Sequence, residues 1–210
     1  MANLEFMRCE SIQEQAKVYQ RFGQLSLILL ILCSSCGSDY APKPHGFFRI
    51  KLPEKKYQAY HDSGCPFRFS FPVYAKIEKD KSPNAQPCWF DLVFPSFNAR
   101  LHLSYYRITS PHIFNELVED AHTFAFKHTV KASAIDEAVI NLRKSNMHGV
   151  LYAIAGNTAS STQFYLTDST KHYLRGALYF YEKPRMDSIQ PVLDFINQDI
   201  RYMIKTAKWK

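Results

Sequence analysis

The stretch STQFYLTDSTKHYLRGALYFY, residues 161–181, decides how this chain is read. Ser161–Thr167 and Tyr173–Tyr181 are dense in aromatic and β-branched residues, the composition of strands. Between them Thr167–Lys171 (TDSTK) carries short polar side chains that hydrogen-bond their own backbone, so it reads as a turn. Strands joined by so short a link run antiparallel. Asp168 is expected to accept backbone hydrogen bonds in that turn.

Upstream, Ser133–Leu142 and Val150–Ala155 read as two further strands. Ala99–Arg107 alternates, with Leu101, Leu103 and Tyr105 on one face, and pairs as a hairpin with Trp89–Phe94 across Pro95–Asn98. Lys79–Pro87 (KDKSPNAQP) is a charged loop. Pro72 interrupts the strand before it, and Tyr74–Glu78 is expected to continue as an edge strand or hairpin partner. Phe67–Phe71 (FRFSF) places Phe67, Phe69 and Phe71 on one face, and His45–Leu52 (HGFFRIKL) is expected to be the first strand, ended by Pro53.

Two segments have helical spacing. Ser110 is an N-cap and Pro111 suits the first helical position. Ile113, Leu117, Ala121, Phe124 and Ala125 then form an apolar face. The last helix is expected to be capped by Asp187 or Ser188 and to bury Ile189, Val192, Leu193, Ile196, Ile200 and Met203. Strands, a helix, more strands and a closing helix make one α+β domain: a largely antiparallel sheet with two main helices. The order of elements is similar to that of PsbP/Mog1-like proteins.

The other decisive stretch is LSLILLILCSSC, Leu25–Cys36. Arg21, a short apolar run, then Ser34 and Ser35 before Cys36 is the order of an export signal. At about 1.5 Å per residue the run is too short for a hydrocarbon core roughly 30 Å thick. A cysteine after small residues resembles the lipobox of bacterial lipoproteins, in which cleavage before the cysteine leaves it carrying lipid. Cys33 stands where lipoboxes usually have Leu, Val or Ile, and a short buried core helix is the competing reading. The expected organisation is a signal at 1–35, a polar tether at 36–44 and the domain at 45–210.

Removing 35 of 210 residues leaves 175, enough for one domain with its own core. The leader's three acidic and three basic residues cancel, so the rest keeps the formal charge of +7. Scattered lysines and arginines suit anionic envelope surfaces or an acidic partner; they do not single out nucleic acid.

Of the five cysteines, Cys9 and Cys33 fall in the leader and Cys36 at its junction. Cys65 and Cys88 remain, an even pair in an oxidising compartment, and a disulfide is expected between them. Two free thiols or half of a metal site are the alternatives.

Little else carries chemistry. His112, His122 and His128 lie in or beside the first helix and point three ways, since ten residues turn about 80° and six a further 120° or so, so they read as surface residues and not a metal site. No G-x-S-x-G elbow and no phosphate-cradling glycine loop occurs. Asp136, Glu137 and Asp168 read as turn-lining carboxylates. Lys171, His172 and Arg175 form a basic cluster around Tyr173, either a contact for an acidic partner or a solvated hairpin. No catalytic residue, metal or cofactor is expected.

An ordered set of segments resembles the gliding motility lipoprotein family GldD of the Bacteroidetes. The set runs from Cys36-Gly-Ser-Asp-Tyr, Pro42-Lys-Pro and Gly46-Phe-Phe-Arg-Ile through Leu52-Pro-Glu-Lys-Lys-Tyr57, Cys65-Pro-Phe and Phe71-Pro-Val-Tyr-Ala-Lys76. It continues with Pro87-Cys-Trp89, His102-Leu-Ser-Tyr105, Lys127-His-Thr-Val-Lys131, Gln163 to His172, Leu174 to Phe180, Phe195 and Trp209-Lys210. The resemblance implies a non-catalytic accessory lipoprotein of gliding and type IX protein secretion, working with other envelope proteins of those systems. It maps Cys36 to the lipidation site and Cys65 and Cys88 to the bridging pair. The tether has one acidic residue, Asp39, which favours the periplasmic leaflet of the outer membrane over the cell surface. Asp168-Ser-Thr170 and Asp187-Ser-Ile189 match a short O-glycosylation pattern of that phylum, at Ser169 and Ser188. The alternative function is a cell-wall or small-ligand binding domain, with a pocket lined by aromatics such as Tyr105 and Phe164.

Overall fold

The computed structural model describes residues 50–181 and 186–210, without the side chains of 186 and 187. Two antiparallel sheets and two helices build one α+β unit. Strands β1 (Tyr57–His61), β2 (Phe67–Pro72) and β10 (Lys208–Trp209) form a small sheet in the order β1-β2-β10. The large sheet takes β3 (Lys76–Lys79), β4 (Phe90–Phe94), β5 (Ala99–Arg107), β6 (Ala132–Leu142), β7 (Met147–Gly156), β8 (Ser160–Thr167) and β9 (His172–Phe180). Its order is β3-β4-β5-β9-β8-β7-β6. Helix α1 is Pro111–Phe126 and α2 is Met186–Thr206.

The β8–β9 hairpin that the sequence marks is formed, with Thr167 opposite Tyr173 and Phe164 opposite Gly176. Gly176 is required there: a Cβ would sit 2.3 Å from the Phe164 ring. β4 and β5 pair through a 3₁₀ turn at Pro95–Phe97, and Asn98 turns the chain in the left-handed region (φ 49°). β3 lies at the edge of the large sheet, and Pro72 ends β2 in the small one.

The large sheet is covered on both faces. On one, Phe67, Phe69 and Phe71 of β2 and Leu193, Ile196, Ile200 and Met203 of α2 meet Leu101, Leu103, Phe164, Leu174 and Leu178. On the other, Ala121 and Ala125 of α1 meet Tyr152, Ile154, Tyr165 and Tyr173. The two small alanines let the helix approach the sheet closely, and the Tyr173 hydroxyl donates to the Leu117 carbonyl at 2.8 Å. β8, enclosed on both faces, is buried at every residue. The Ser110 hydroxyl caps α1 by accepting from the Ile113 N–H at 3.3 Å.

Four expectations change. A second, small sheet accompanies the expected one. Ile50–Leu52 lie in no strand; 45–49 are outside the described residues, and the first described strand is β1. Helix α2 already contains Asp187 and Ser188, so neither is its cap. Phe124 is exposed, because the face that meets the sheet runs through Phe114, Leu117, Val118, Ala121 and Ala125. Cys36 and the whole leader lie outside the described residues.

Candidate functional site

The most concentrated polar chemistry lies where the segment entering the domain crosses α2. Asp199 falls on the edge of the helix's apolar stripe, about 60° round from Ile196, and is buried to 1% exposure. Lys55 Nζ reaches its Oδ1 at 2.6 Å and the Tyr57 hydroxyl donates to the same oxygen at 2.8 Å. The Tyr74 hydroxyl donates to Oδ2. Lys55 also donates to the Phe195 carbonyl at 2.7 Å and lies over the Phe195 ring, 3.4 Å from its centre. A buried carboxylate is tolerated when its charge is paired and its lone pairs are occupied, and here both hold. Burial, then the hydrogen bond to Asp199 and its charge, push the Tyr57 phenol up to about 12. The same causes raise Tyr74 further. Both phenols therefore remain donors. Tyr57 also stacks on Tyr202, ring centres 3.9 Å apart. The cluster is a clasp: it fixes Lys55, Tyr57 and Tyr74 to the stretch of α2 from Phe195 to Tyr202.

A second cluster lies beside the cysteine pair. Cys65 and Cys88 are bonded in the structure (S–S 2.20 Å, Cα–Cα 5.6 Å). They border a groove of about 470 Å³ whose wall includes Tyr60, Asp62, Asp80 and Trp89. The Trp89 indole donates to the Tyr105 carbonyl at 2.9 Å and meets His102 edge-on. His102 Nδ1 is 2.8 Å from Asp91, and its Nε2 is 4.0 Å from Asp80. Both ring nitrogens thus face carboxylates. The backbone N–H of Ser82 is the chief cause that holds the Asp80 carboxyl below its ordinary range, against the effect of burial.

The basic cluster disperses. His172 stacks on Trp209, 5.0 Å between ring centres, with Nδ1 2.8 Å from the Tyr105 hydroxyl. Arg175 turns to the other face, donating to Gln163 at 2.9 Å and covering Phe124. Burial lowers the His172 pKa, and the nearby Asp168 carboxylate only partly opposes it. Asp168 does what the turn requires: its Oδ1 accepts the N–H groups of Thr170, Lys171 and His172 at 3.0, 2.8 and 2.9 Å. Burial would raise this carboxyl; the three donors outweigh it, and it titrates low.

Other expected positions are more ordinary. His112 pairs with Glu116 at 3.4 Å on the helix surface, and His122 stacks on Phe126. Among the described residues no three His, Cys, Asp or Glu converge as metal ligands, and no helix is long and apolar enough to cross a membrane. Asp136 and Glu137 are not in a turn; they occupy the middle of β6. Phe164 is 1% exposed and packed against Gly176, a core position and not a surface one. The Ser169 hydroxyl is 2.7 Å from His148 Nε2.

Sequence reasoning missed the Asp199 clasp. Its one local signal was a carboxylate on the border of an apolar helical stripe; its partners lie 125 to 144 residues away.

The chain is similar to the cyanobacterial PsbP of Synechocystis sp. PCC 6803 in its solution structure. That match has 12% identity and a TM-score of 0.40, over 79% of this chain and 95% of the other. No curated protein matches it. The model of the gliding motility lipoprotein GldD family matches residues 37–209, and the chain belongs to that family.

Proposed function

We propose that this protein is a non-catalytic, lipid-anchored accessory or assembly factor of gliding motility and type IX protein secretion. The observation that carries the reading is the family match, which begins at residue 37, directly after Cys36. In this reading residues 1–35 are a signal that is removed, Cys36 bears the acyl chains, 36–44 are a tether and 45–210 the working domain. The Cys65–Cys88 bridge suits an oxidising compartment outside the cytoplasm. The periplasmic leaflet of the outer membrane is the proposed location, and the partners are other envelope proteins of the same systems.

The geometry supports a binding role over a chemical one. Both carboxylate oxygens of Asp199, Oδ1 of Asp168 and Nδ1 of His102 are engaged by the fold itself. Groups engaged in this way hold elements of the fold together, which supports a scaffold role.

Deletion of the gene should abolish spreading and type IX secretion together, and Cys36→Ala should reproduce the defect with the protein released from the membrane. Normal secretion in the deletion strain would contradict the proposed role; continued lipid labelling of the Cys36→Ala protein would contradict the anchor.

A further inference from the structure

The two edges of the large sheet are built differently. β3 is four residues long with a lysine at each end, a common way of discouraging strand addition. β6 has eleven residues, and no lysine or proline occurs in ASAIDEAVINL. Its one irregularity lies at its start, between Ala132 and Ala134, so Ala134–Leu142 is a straight run of nine. Among the described residues no strand lies beyond it. Seven of its residues are exposed, and Val139 is 84% exposed. Every second residue of such a strand directs an N–H and a C=O outward, a template for one more strand.

The ends of this edge carry charge information. Past Leu142 the chain enters a groove of about 490 Å³ lined by Asn141, Leu142, Arg143, Lys144, Ser145 and Lys205. It has three cations and no carboxylate. Mid-strand, Asp136 and Glu137 are adjacent and exposed. A strand added antiparallel, the sense of every pair in this sheet, sets its amino-terminal end at the groove and its middle beside the two acids.

We infer that β6 is a docking edge for an extended segment of a partner protein. That segment has about nine residues of strand-forming character, acidic residues just before them, and a cation that meets Asp136 or Glu137. The inference deepens the assembly-factor reading by naming the surface through which partners would be held. It rests on that reading only for the partner's biological setting.

The test uses purified protein from Cys36 onward and a synthetic peptide. The peptide has two glutamates followed by alternating valine and threonine, with one lysine placed opposite Asp136. Hydrogen exchange is expected to show new protection confined to 134–142. Val139→Pro should weaken binding about tenfold or more, with Val139→Lys as the second variant if proline disturbs the fold. Arg143→Glu with Lys144→Glu should weaken it about tenfold and favour a peptide whose glutamates are replaced by lysines.

No protection at millimolar peptide would overturn the proposal, as would binding indifferent to all these variants. Protection of 134–142 that appears without peptide and grows with protein concentration would assign the edge to a second copy of the chain instead. These outcomes are independent of whether gene deletion stops secretion.

Discussion

Lys55 Nζ lies 2.6 Å from the buried carboxylate of Asp199, joining the segment that enters the domain to the helix that closes it. The two ends of the pair are unequal. Lys55 keeps 26% of its side chain in solvent, whereas Asp199 keeps 1%. Removing Asp199 leaves an ammonium that still reaches water but loses its charge partner, and it frees two tyrosine hydroxyls. Asp199→Ala should destabilise the domain by about 3 kcal/mol, the lower end for a broken buried pair. Replacing both, as Lys55→Met with Asp199→Leu, should recover more than half of that in urea unfolding. A double variant no more stable than the single one would show that the pairing is not what holds these elements.

Tyrosines at this clasp, beside the disulfide and under α1 give a pH dependence. Burial is the main cause that raises Tyr57, Tyr60 and Tyr152 to about 12 from an ordinary 10.0, reinforced by Asp199 at Tyr57 and by Asp62 at Tyr60. The fold favours the neutral phenol, so its contribution is complete below pH 10 and falls as the unfolded chain ionises first. Urea midpoints should decline between about pH 10 and 12, and Tyr57→Phe should make that decline shallower. A midpoint flat to pH 12 would contradict it.

Asp168 gives the opposite sign. Its carboxylate titrates low because three turn N–H groups outweigh burial, so its stabilisation is present above the ordinary carboxylate range and fades as pH falls through it. Asp168→Ala should lose about 2 kcal/mol at neutral pH and show a smaller acid sensitivity than the parent.

Two glycines separate contact with a ring from contact with backbone. A Cβ at Gly176 meets the Phe164 ring at 2.3 Å, while one at Gly149 meets the Tyr165 carbonyl at 1.8 Å. A ring can move; the β7–β8 ladder cannot without breaking. Gly176→Ala should be destabilising by about 1–3 kcal/mol, partly relieved by Phe164→Leu. Gly149→Ala should be the worse of the two by thermal unfolding.

The Cys65–Cys88 bond closes a sequence separation of 23. The loop-entropy model gives roughly 3 kcal/mol for such a closure. Reductant should lower the urea midpoint of the parent and leave Cys65→Ala with Cys88→Ala unchanged.

What could be read from the chain follows from the range of each interaction. β5 was legible residue for residue, because Leu101, Leu103 and Tyr105 alternate against one core. The α1 cap was legible because Ser110 and Ile113 are three residues apart. β1 was not: YQAYH is half-exposed, so its pattern carries no core face. β10, two residues long, is too short for any periodicity and exists because β2 offers it an edge. The Asp199 clasp joins residues over a hundred positions apart, which no local pattern encodes. The edge character of β6 depends on which strand lies last in the sheet, and that is decided by topology rather than by ASAIDEAVINL itself.

The most direct measurement is the intact mass, without reduction, of the native protein extracted from cell envelopes. The account predicts a chain that begins at Cys36 with acyl mass added and two hydrogens missing for the Cys65–Cys88 bond. A cytosolic chain that retains residues 1–35, with no lipid and with free thiols at both positions, would contradict it.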